Sequence, residues 1–574
     1  MTKSKIPLTA GKLFILVILV FVNTPALAQS VDTAWVRRYN GPGNGADGAT
    51  AIAVDGSGNV YVTGGNSSGT SGDYATIKYY PNGDTAWVRT YNGPGNEADG
   101  ANAIAIDDSG NVYVTGRSVG NGTSLDYATI KYYPNGDTAW VRRYNAPENS
   151  ADCVYAMAVD GSGNVYVTSV IGSWPNTDYL TIKYYSNGDT AWTRRYGYSP
   201  TDYDRAYAIA VDASGNVYVT GYSDQDSTQV YNFDYTTVKY YPNGDTAWVR
   251  RYNGSGNEWD VAYAIAVDAS GNVIVTGFSI ESGSSWDYTT IKYYPNGDTA
   301  WLRRYSGSGN SWDHARAIAV DDSSNVYVTG RSSGSGTAYD YATIKYYPNG
   351  DTAWVRRYQG PGDDGDEASA IAVDDSGNVY VTGTSDPSFE GEPSDYVTVM
   401  YYPNGDTAWV RGYKHGPGDD NDEPCAVAVD ASGNVYVTGY SYGSGTDYDY
   451  ATIKYVQTTC LTIGNITICA DVMTDLGGGN FRAERGVWIG DQAGENLYLY
   501  LGDNAEVTFN VNTGTVISVI YTNTKLTVNT EDYVIDNVTS LEIDAQQGRV
   551  SLGGRLHYAA GAIFQGSFSG ACTL

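Results

Sequence analysis

Histidine is scarce in this sequence: His314, His415 and His557 are the only three among 574 residues. They fall in separate segments, which argues against a histidine-based catalytic triad or a histidine-rich zinc site. No HExxH, P-loop or GxSxG pattern occurs either. Glycine-rich stretches such as Gly41-Pro42-Gly43-Asn44 read as turns between strands, since no helix follows to hold a phosphate. Positive charge is also short. The 34 Lys+Arg stand against 64 Asp+Glu, for a net charge of -30. That balance argues against nucleic acid or an anionic membrane as a partner and leaves room for cations.

Long apolar runs are confined to the first thirty residues. Lys3, Lys5 and Lys12 precede the apolar stretch Leu13 to Val22, and Ala26-Leu27-Ala28 has the small-x-small form of a cleavage site. The run is too short to span a bilayer, so residues 1–28 read as a secretory signal, with the mature chain starting at Gln29. A glutamine there, in place of cysteine, argues against a lipid anchor. The expectation is an exported chain without membrane insertion, placed outside the cell, at its surface or in the periplasm.

Five cysteines are an odd number for an exported chain. Cys460 and Cys469 bracket Leu461-Thr462-Ile463, the turn Gly464-Asn465 and Ile466-Thr467-Ile468. Counting outward from that turn sets the two cysteines opposite each other, at a spacing suited to a cross-strand disulfide. Cys153 and Cys425 lie in distant repeats and read as free thiols, while Cys572 has no evident partner.

What the chain has in abundance is repetition. The stretch Ala51 to Tyr91 recurs eight times between Asp32 and Tyr455, at about 53 residues per copy. Each copy holds four short alternating runs, as in Ala51–Val54, Val60–Thr63, Tyr74–Tyr80 and Thr85–Val88. Asp-x-Ser-x-Asn and Asn-Gly-Asp separate them, so each copy reads as four antiparallel strands. Four-stranded units in tandem predict an all-β fold, an eight-bladed β-propeller over 29–456. Asp32–Tyr39 has the sequence of a fourth strand with no first three before it, and the last copy lacks a fourth strand. The N-terminal strand is therefore expected to complete the C-terminal blade, which removes open sheet edges. Residues 457–574 drop the repeat and read as a separate all-β domain, with alternating runs at Leu497–Leu501, Val507–Val511 and Val516–Tyr521.

Eight tryptophans (Trp35, Trp87, Trp140, Trp192, Trp248, Trp301, Trp354 and Trp409) each open the outer strand of a copy. One large aromatic per blade suits packing between blades. An arginine follows each of them by two residues, and a lysine sits in the third strand of seven copies, with Met400 the exception. These cations are expected to pair with repeat aspartates. Loop length varies almost only between the second and third strands, with the longest inserts at Gly221–Phe233 and Gly383–Ser394. In a propeller those loops share a face with the loops between blades, and a variable face is the expected binding face.

DxSGNVYVTG followed by DYxTIKYYPNGDTAW resembles the bacterial SBBP-type β-propeller repeat of exported proteins. The resemblance covers about three quarters of the chain. It implies the propeller fold but carries no catalytic motif. A fainter similarity is to the tryptophan-docking repeat of eight-bladed quinoprotein propellers, which also place Gly four residues before Trp, as Gly83 before Trp87. Their cofactor features, including an adjacent cysteine pair, are not recognisable here. The end of the chain, Gly570 to Leu574, lacks the basic tail of a type IX sorting domain.

Two constellations stand out as candidate sites. Asp47, Asp99, Asp152, Asp204, Asp260, Asp313, Asp366 and Asp422 precede the first strands at one fixed offset. Ring closure would set them near the channel mouth as a solvated ring of hard oxygen ligands suited to Ca2+. The alternative is that each accepts hydrogen bonds from its own inter-blade loop, and strict repetition favours this. The second constellation is aromatic and asymmetric: Trp174, Tyr198, Tyr203, Tyr231, Phe233, Trp259, Trp286, Trp312 and Tyr339 crowd the variable loops of blades three to six. Such a patch suits stacking on sugar rings or docking a peptide. Acidic clusters at Asp363–Glu367 and Asp419–Glu423 offer carboxylate pairs, but glycoside hydrolysis needs a set separation across a bound sugar that sequence does not give. The sequence thus favours a non-enzymatic binding or scaffold protein with a glycan or protein ligand. The rival is a carbohydrate-active enzyme, a lyase or hydrolase at the channel mouth.

Overall fold

The computed structural model describes residues 28–573, except loop segments 68–70, 147–151, 174–175, 198–202, 225–231, 283–284, 309–310, 335–337, 362–364, 386–393, 414–420 and 444 and several connections beyond 457. Residues 1–27 of the expected signal, and Trp174, Tyr198 and Tyr231, therefore lie outside the described residues, as do Asp363, Asp364, Asp419 and Asp420. No helix among the described residues is long and apolar enough to cross a membrane.

Val31–Gln457 forms one compact unit. In its first blade Gly48–Val54, Val60–Ser67, Gly72–Tyr79 and Thr85–Tyr91 pair in chain order as one antiparallel sheet. Six further four-stranded sheets repeat the order. The eighth blade consists of Asp422–Val429, Val435–Tyr442 and Tyr448–Ile463, and Ala28–Tyr39 pairs with the last of these as its outer strand. The first strands of consecutive blades touch one another all the way round, including Gly48–Val54 against Asp422–Val429. The ring is an eight-bladed propeller closed by its N-terminal strand.

The turns follow from their residues. In the hairpin after the first strand, Asp55 Oδ1 accepts from the amides of Ser57 (2.9 Å) and Asn59 (3.0 Å), and its Oδ2 accepts from Asn59 Nδ2 (2.8 Å) and the Tyr61 hydroxyl (2.9 Å). These bonds outweigh the effect of burial and hold the carboxyl below its ordinary pKa. In the Asn-Gly turn, Gly83 has φ 85°, a conformation that L side chains rarely adopt. A Cβ there would also lie 2.9 Å from the Trp35 ring of the neighbouring outer strand.

The cores lie between blades. Tyr61, Tyr74 and Trp87 of the first blade pack with Ala101, Val112, Val114, Ala128, Ile130 and Tyr132 of the second. Equivalent clusters fill the other junctions, and Val31, Trp35 and Tyr39 of the N-terminal strand join the two that flank the eighth blade. Trp87 sits between Tyr61 (6.1 Å) and Tyr132 (6.0 Å), and its Nε1 donates to Pro134 O at 3.1 Å.

The repeat cations behave otherwise than expected. Arg89 Nε donates to Gly136 O of the next blade, at 2.6 Å, and its guanidinium lies over the Trp87 ring, at 5.6 Å. Lys78 lies over the Tyr61 ring, at 5.0 Å, and donates to Pro134 O. The partners are thus backbone carbonyls and ring faces more than aspartates. The lysine–aspartate pair of the fifth blade, Lys292–Asp268 at 2.8 Å, arises where Ile274 replaces the tyrosine that elsewhere donates to that aspartate. The expected arginine–aspartate pairing belongs instead to the next arginine along. Arg143 meets Asp126 at 2.8 Å and Arg357 meets Asp340 at 2.6 Å.

The same rule explains Met400. The chain runs straight on after the third strand of the eighth blade, so no proline turn lies beside the seventh. A lysine there would lack its carbonyl, and the indole Nε1 of Trp409 does lack one. Arg411 finds a substitute in Val31 O, at 2.7 Å, supplied by the N-terminal strand.

Beyond Thr458 a second unit is also antiparallel β. Its strands Leu497–Tyr500, Glu506–Asn510 and Thr515–Ile520 coincide with the alternating runs of the sequence. The strand register sets Cys460 opposite Cys469. Cys153 and Cys425 are free thiols.

Candidate functional site

The eight aspartates lie in the seams between blades, not in a solvated ring. Their exposure is between 0 and 5%. Asp99 Oδ1 accepts from Val119 N, at 2.9 Å, its Oδ2 accepts from Gly93 N, and its own amide donates to Gly72 O of the preceding blade, at 2.6 Å. Asp313 accepts from Gly307 N (2.7 Å) and Ser333 N (2.9 Å), Asp152 from Ala146 N (2.8 Å), Asp366 from Gly360 N (2.6 Å) and Asp422 from Tyr442 N (3.2 Å). Asp47 and Asp260 bind their loops likewise, and Asp204 is fully buried. These carboxylates tie inter-blade loops to their blades. Among the described residues no group of three or more His, Cys, Asp or Glu is placed to hold a metal ion.

Burial raises the pKa of Asp260 to about 6, and that of its neighbour Asp234 to about 7, with the Asp260 charge adding to the latter. The folded protein then binds a proton at Asp234 that the unfolded chain releases near its ordinary 3.8. Stability contributed by this group therefore falls as pH rises from about 4 to about 7. The substitution Asp234→Asn is expected to stabilise the chain by about 2 kcal/mol at pH 8 and to be neutral below pH 4, as read from thermal melts at both pH values. An equal effect at both would show that the charge is not responsible.

Just after each seam aspartate the first strand bulges. The register with the second strand steps over one residue, as between Ala101 and Ala103 or Ala206 and Ala208. The residues stepped over are Thr50, Asn102, Tyr155, Tyr207, Tyr263, Arg316, Ser369 and Cys425. In seven blades a glycine opposite makes room, with Ser169 in its place in the third: a Cβ on Gly64 would lie 1.9 Å from Gly48 O. A bulge re-aims the side chain of the extra residue, and here consecutive bulges meet across blades. Asn102 Nδ2 donates to Val154 O at 2.6 Å. The rings of Tyr155 and Tyr207 are 5.7 Å apart, those of Tyr207 and Tyr263 5.1 Å, and Arg316 lies over Tyr263 at 5.6 Å. These residues occupy the inner ring where the aspartates had been expected. The sequence carried a signal for them, since the two x positions of Asp-x-Ala-x vary among the copies while Asp recurs in all eight and Ala in six.

From the bulge residues an aromatic ladder runs outward over blades four to six. Tyr207 contacts Tyr222, Tyr222 contacts Phe233 (4.5 Å), and Phe233 contacts Trp259 (5.5 Å). Trp259, Trp286 and Trp312 follow as a column of near-parallel indoles, with centroids 6.2 and 4.9 Å apart and planes within 19°. Of the expected residues, Tyr203 stacks on Tyr222 and Trp286 lies on Phe278 and His314, so both support the ladder from within. Trp259 and Trp312 form its surface, at 38 and 47% exposure. Tyr339 stands at the far edge under the Arg331 guanidinium, at 4.7 Å.

His314 is buried in this ladder. Burial, followed by the Arg331 and Arg316 charges, lowers its pKa to about 3. Its Nε2 has no hydrogen-bond partner. Arg316 and Arg331 share the Glu367 carboxylate, at 2.5 and 2.9 Å. Two clefts of about 390 and 410 Å³ lie elsewhere, at the Asp160 and Asp212 turns and the Asp212 and Asp268 turns. Residues common to all blades line them, so they are by-products of the repeat.

A closed ring of eight four-stranded blades, symmetric in its seams and asymmetric in one aromatic sector, defines a β-propeller repeat protein. The SBBP beta-propeller repeat matches three stretches of the ring, residues 191–227, 300–336 and 354–390. Each match begins in the outer strand of one blade and continues into the second strand of the next. A curated relative, an uncharacterized WD repeat-containing protein of Acanthamoeba polyphaga mimivirus, is 23% identical over 218 residues. The match covers 30% of this chain and only 15% of the relative's length. Among solved structures, Sqt1 of Chaetomium thermophilum is similar at a TM-score of 0.46, with 11% identity over 74% of this chain and 98% of that one. The polysaccharide lyase Uly1 is similar at 0.37, with 10% identity over 75% of this chain and 99% of that one.

Proposed function

We propose that this β-propeller is an exported, non-enzymatic glycan-binding protein whose ligand stacks on the indole column at Trp259 and Trp312. The observation that carries this reading is the column itself. Three parallel indoles braced by Phe233, Phe278 and His314 form a rigid ledge, and its outer members remain open to solvent. A sugar ring presents a flat apolar C–H face and a polar rim, so it gains from a pre-set aromatic surface without an ordering cost in the protein. Buried backing residues also keep the indoles from collapsing onto the protein. The signal-like first segment supports export. His314, with its pKa near 3, is poorly matched to general-base work at neutral pH, which favours binding over catalysis in this sector.

The test is a screen of immobilised oligosaccharides and peptides with the full chain and with Trp312→Ala. The substitution is expected to weaken glycan binding by about tenfold to a hundredfold, the loss of one stacking anchor. Unchanged glycan affinity, or peptide binding alone, would overturn the reading, and cleavage of a bound glycan would replace it with the enzymatic one.

A further inference from the structure

We infer that the glycan is acidic, and that Arg205, at the inner end of the aromatic ladder, receives its anionic group. This rests on the glycan-binding reading and adds the charge of the ligand. Arg205 follows the seam aspartate of the fourth blade, at one of the two positions where the copies differ. Its guanidinium carbon lies 4.5 Å from the centroid of the Tyr155 ring and 5.0 Å from that of the Tyr207 ring, so it packs against both bulge tyrosines. Its Nη2 donates to the Tyr155 hydroxyl, and its Nε is buried without a hydrogen-bond partner.

Unlike the arginines that meet carboxylates or backbone carbonyls, Arg205 has a tyrosine hydroxyl and two ring faces. In a chain with 64 acids and 34 bases, an arginine has ample choice of internal partner. Arg38, Arg143, Arg195 and Arg357 each pair with an aspartate, and Arg316 and Arg331 share Glu367. Arg205 forms no ion pair among the described residues, although it is half-buried, where an uncompensated charge is costly. Burial raises the pKa of the Tyr155 hydroxyl and of the nearby Cys153 thiol, although Arg205 lowers both. Arg117 of the second blade and Asp152 also act on Cys153, in opposite directions.

A guanidinium packed against two rings, with an unused N–H, is pre-organised for a carboxylate or sulfate oxygen. Carboxylate and sulfate share this chemistry, and both occur on polysaccharides that also present stacking faces. The overall charge of -30 opposes an anion at long range, but salt near 0.15 M confines that repulsion to about 8 Å.

The experiment measures binding of three oligosaccharides of equal length to the full chain: a polyuronate, its carboxyl-reduced neutral counterpart and a sulfated form. The intact protein is expected to bind at least one acidic form about tenfold or more tightly than the neutral one. Arg205→Gln should remove that preference while leaving neutral binding unchanged, which also shows that the variant is folded. The stronger acidic form identifies the source of the anion. An unchanged acidic preference in Arg205→Gln, or none in the intact protein while Trp312→Ala still lowers neutral binding, would overturn the acidic-ligand inference and spare the stacking site. Failure to bind any of the three would overturn both.

Discussion

A chain shortened by its first strand, beginning at Asn40, is expected to lose the cooperative unfolding of the propeller. Ala28–Tyr39 is the outer strand of the eighth blade, and two junction cores depend on it. Val31 is fully buried against Tyr380, Tyr396 and Met400, Trp35 is buried between Tyr79 and Tyr436, and Tyr39 meets Tyr450 edge-on at 5.6 Å. The strand also carries bonds across both seams. Trp35 Nε1 donates to Pro81 O and Arg37 Nε to Gly83 O on one side, and Val31 O accepts from Arg411 on the other. Burial of three large side chains contributes about 6 to 9 kcal/mol, comparable with the whole stability of a typical folded domain. Calorimetry should therefore show no sharp transition in the shortened chain. Addition of a peptide spanning 29–40 should restore it, because the missing strand binds by edge pairing. A shortened chain that melts like the intact one would show that closure is dispensable.

The second large effect is expected at the seam tryptophans, and its size should depend on position. Trp87→Ala removes a buried indole from between two tyrosines, together with its bond to Pro134 and its face for Arg89, at a cost of about 4 kcal/mol. Trp409→Ala removes an indole packed on Tyr380 and Tyr455 whose Nε1 bonds nothing. It should cost about 1 kcal/mol less, the worth of one hydrogen bond. Denaturant midpoints of the two variants decide the matter. Equal losses would mean that the indole N–H contributes nothing at the seven regular seams.

The variant with the greater effect also tells which contacts hold blades together. A propeller blade has little core of its own, since each apolar cluster spans a junction. Stability therefore belongs to seams, and seams are built from recurring residues. Function is expected where recurrence fails. The sector from Tyr155 to Tyr339 meets that description: its bulge, loop and second-strand positions are aromatic or cationic, whereas the first two blades carry Gly48, Thr50, Gly100 and Asn102.

Much of this was legible in the residues. Period, strand alternation and the turn residues gave the blades, because each is local: a side chain two or four residues away satisfies the turn, as Asp55 does. Closure was legible too, since a fourth strand without a blade and a blade without a fourth strand have one economical solution. The crowding of aromatics into one sector was visible as a departure from the repeat. The roles of the recurring cations were not. Their acceptors are carbonyls some 46 to 59 residues away along the repeats, on the next blade, and a backbone carbonyl has no sequence signature. Nor were the bulges. The extra residue follows from how the first strand bends against the small residue opposite it, glycine in seven blades and Ser169 in the third, which puts Tyr155, Tyr207 and Arg316 where the aspartates had been expected. The sequence by itself determined the strands, their number and the ring. Tertiary packing decided which aromatics brace the ladder and which face solvent, and left Arg205 against two tyrosines without a carboxylate. The physical reason is that periodicity assigns a residue to a face of its own sheet, while its partners are set by the sheet that packs against it.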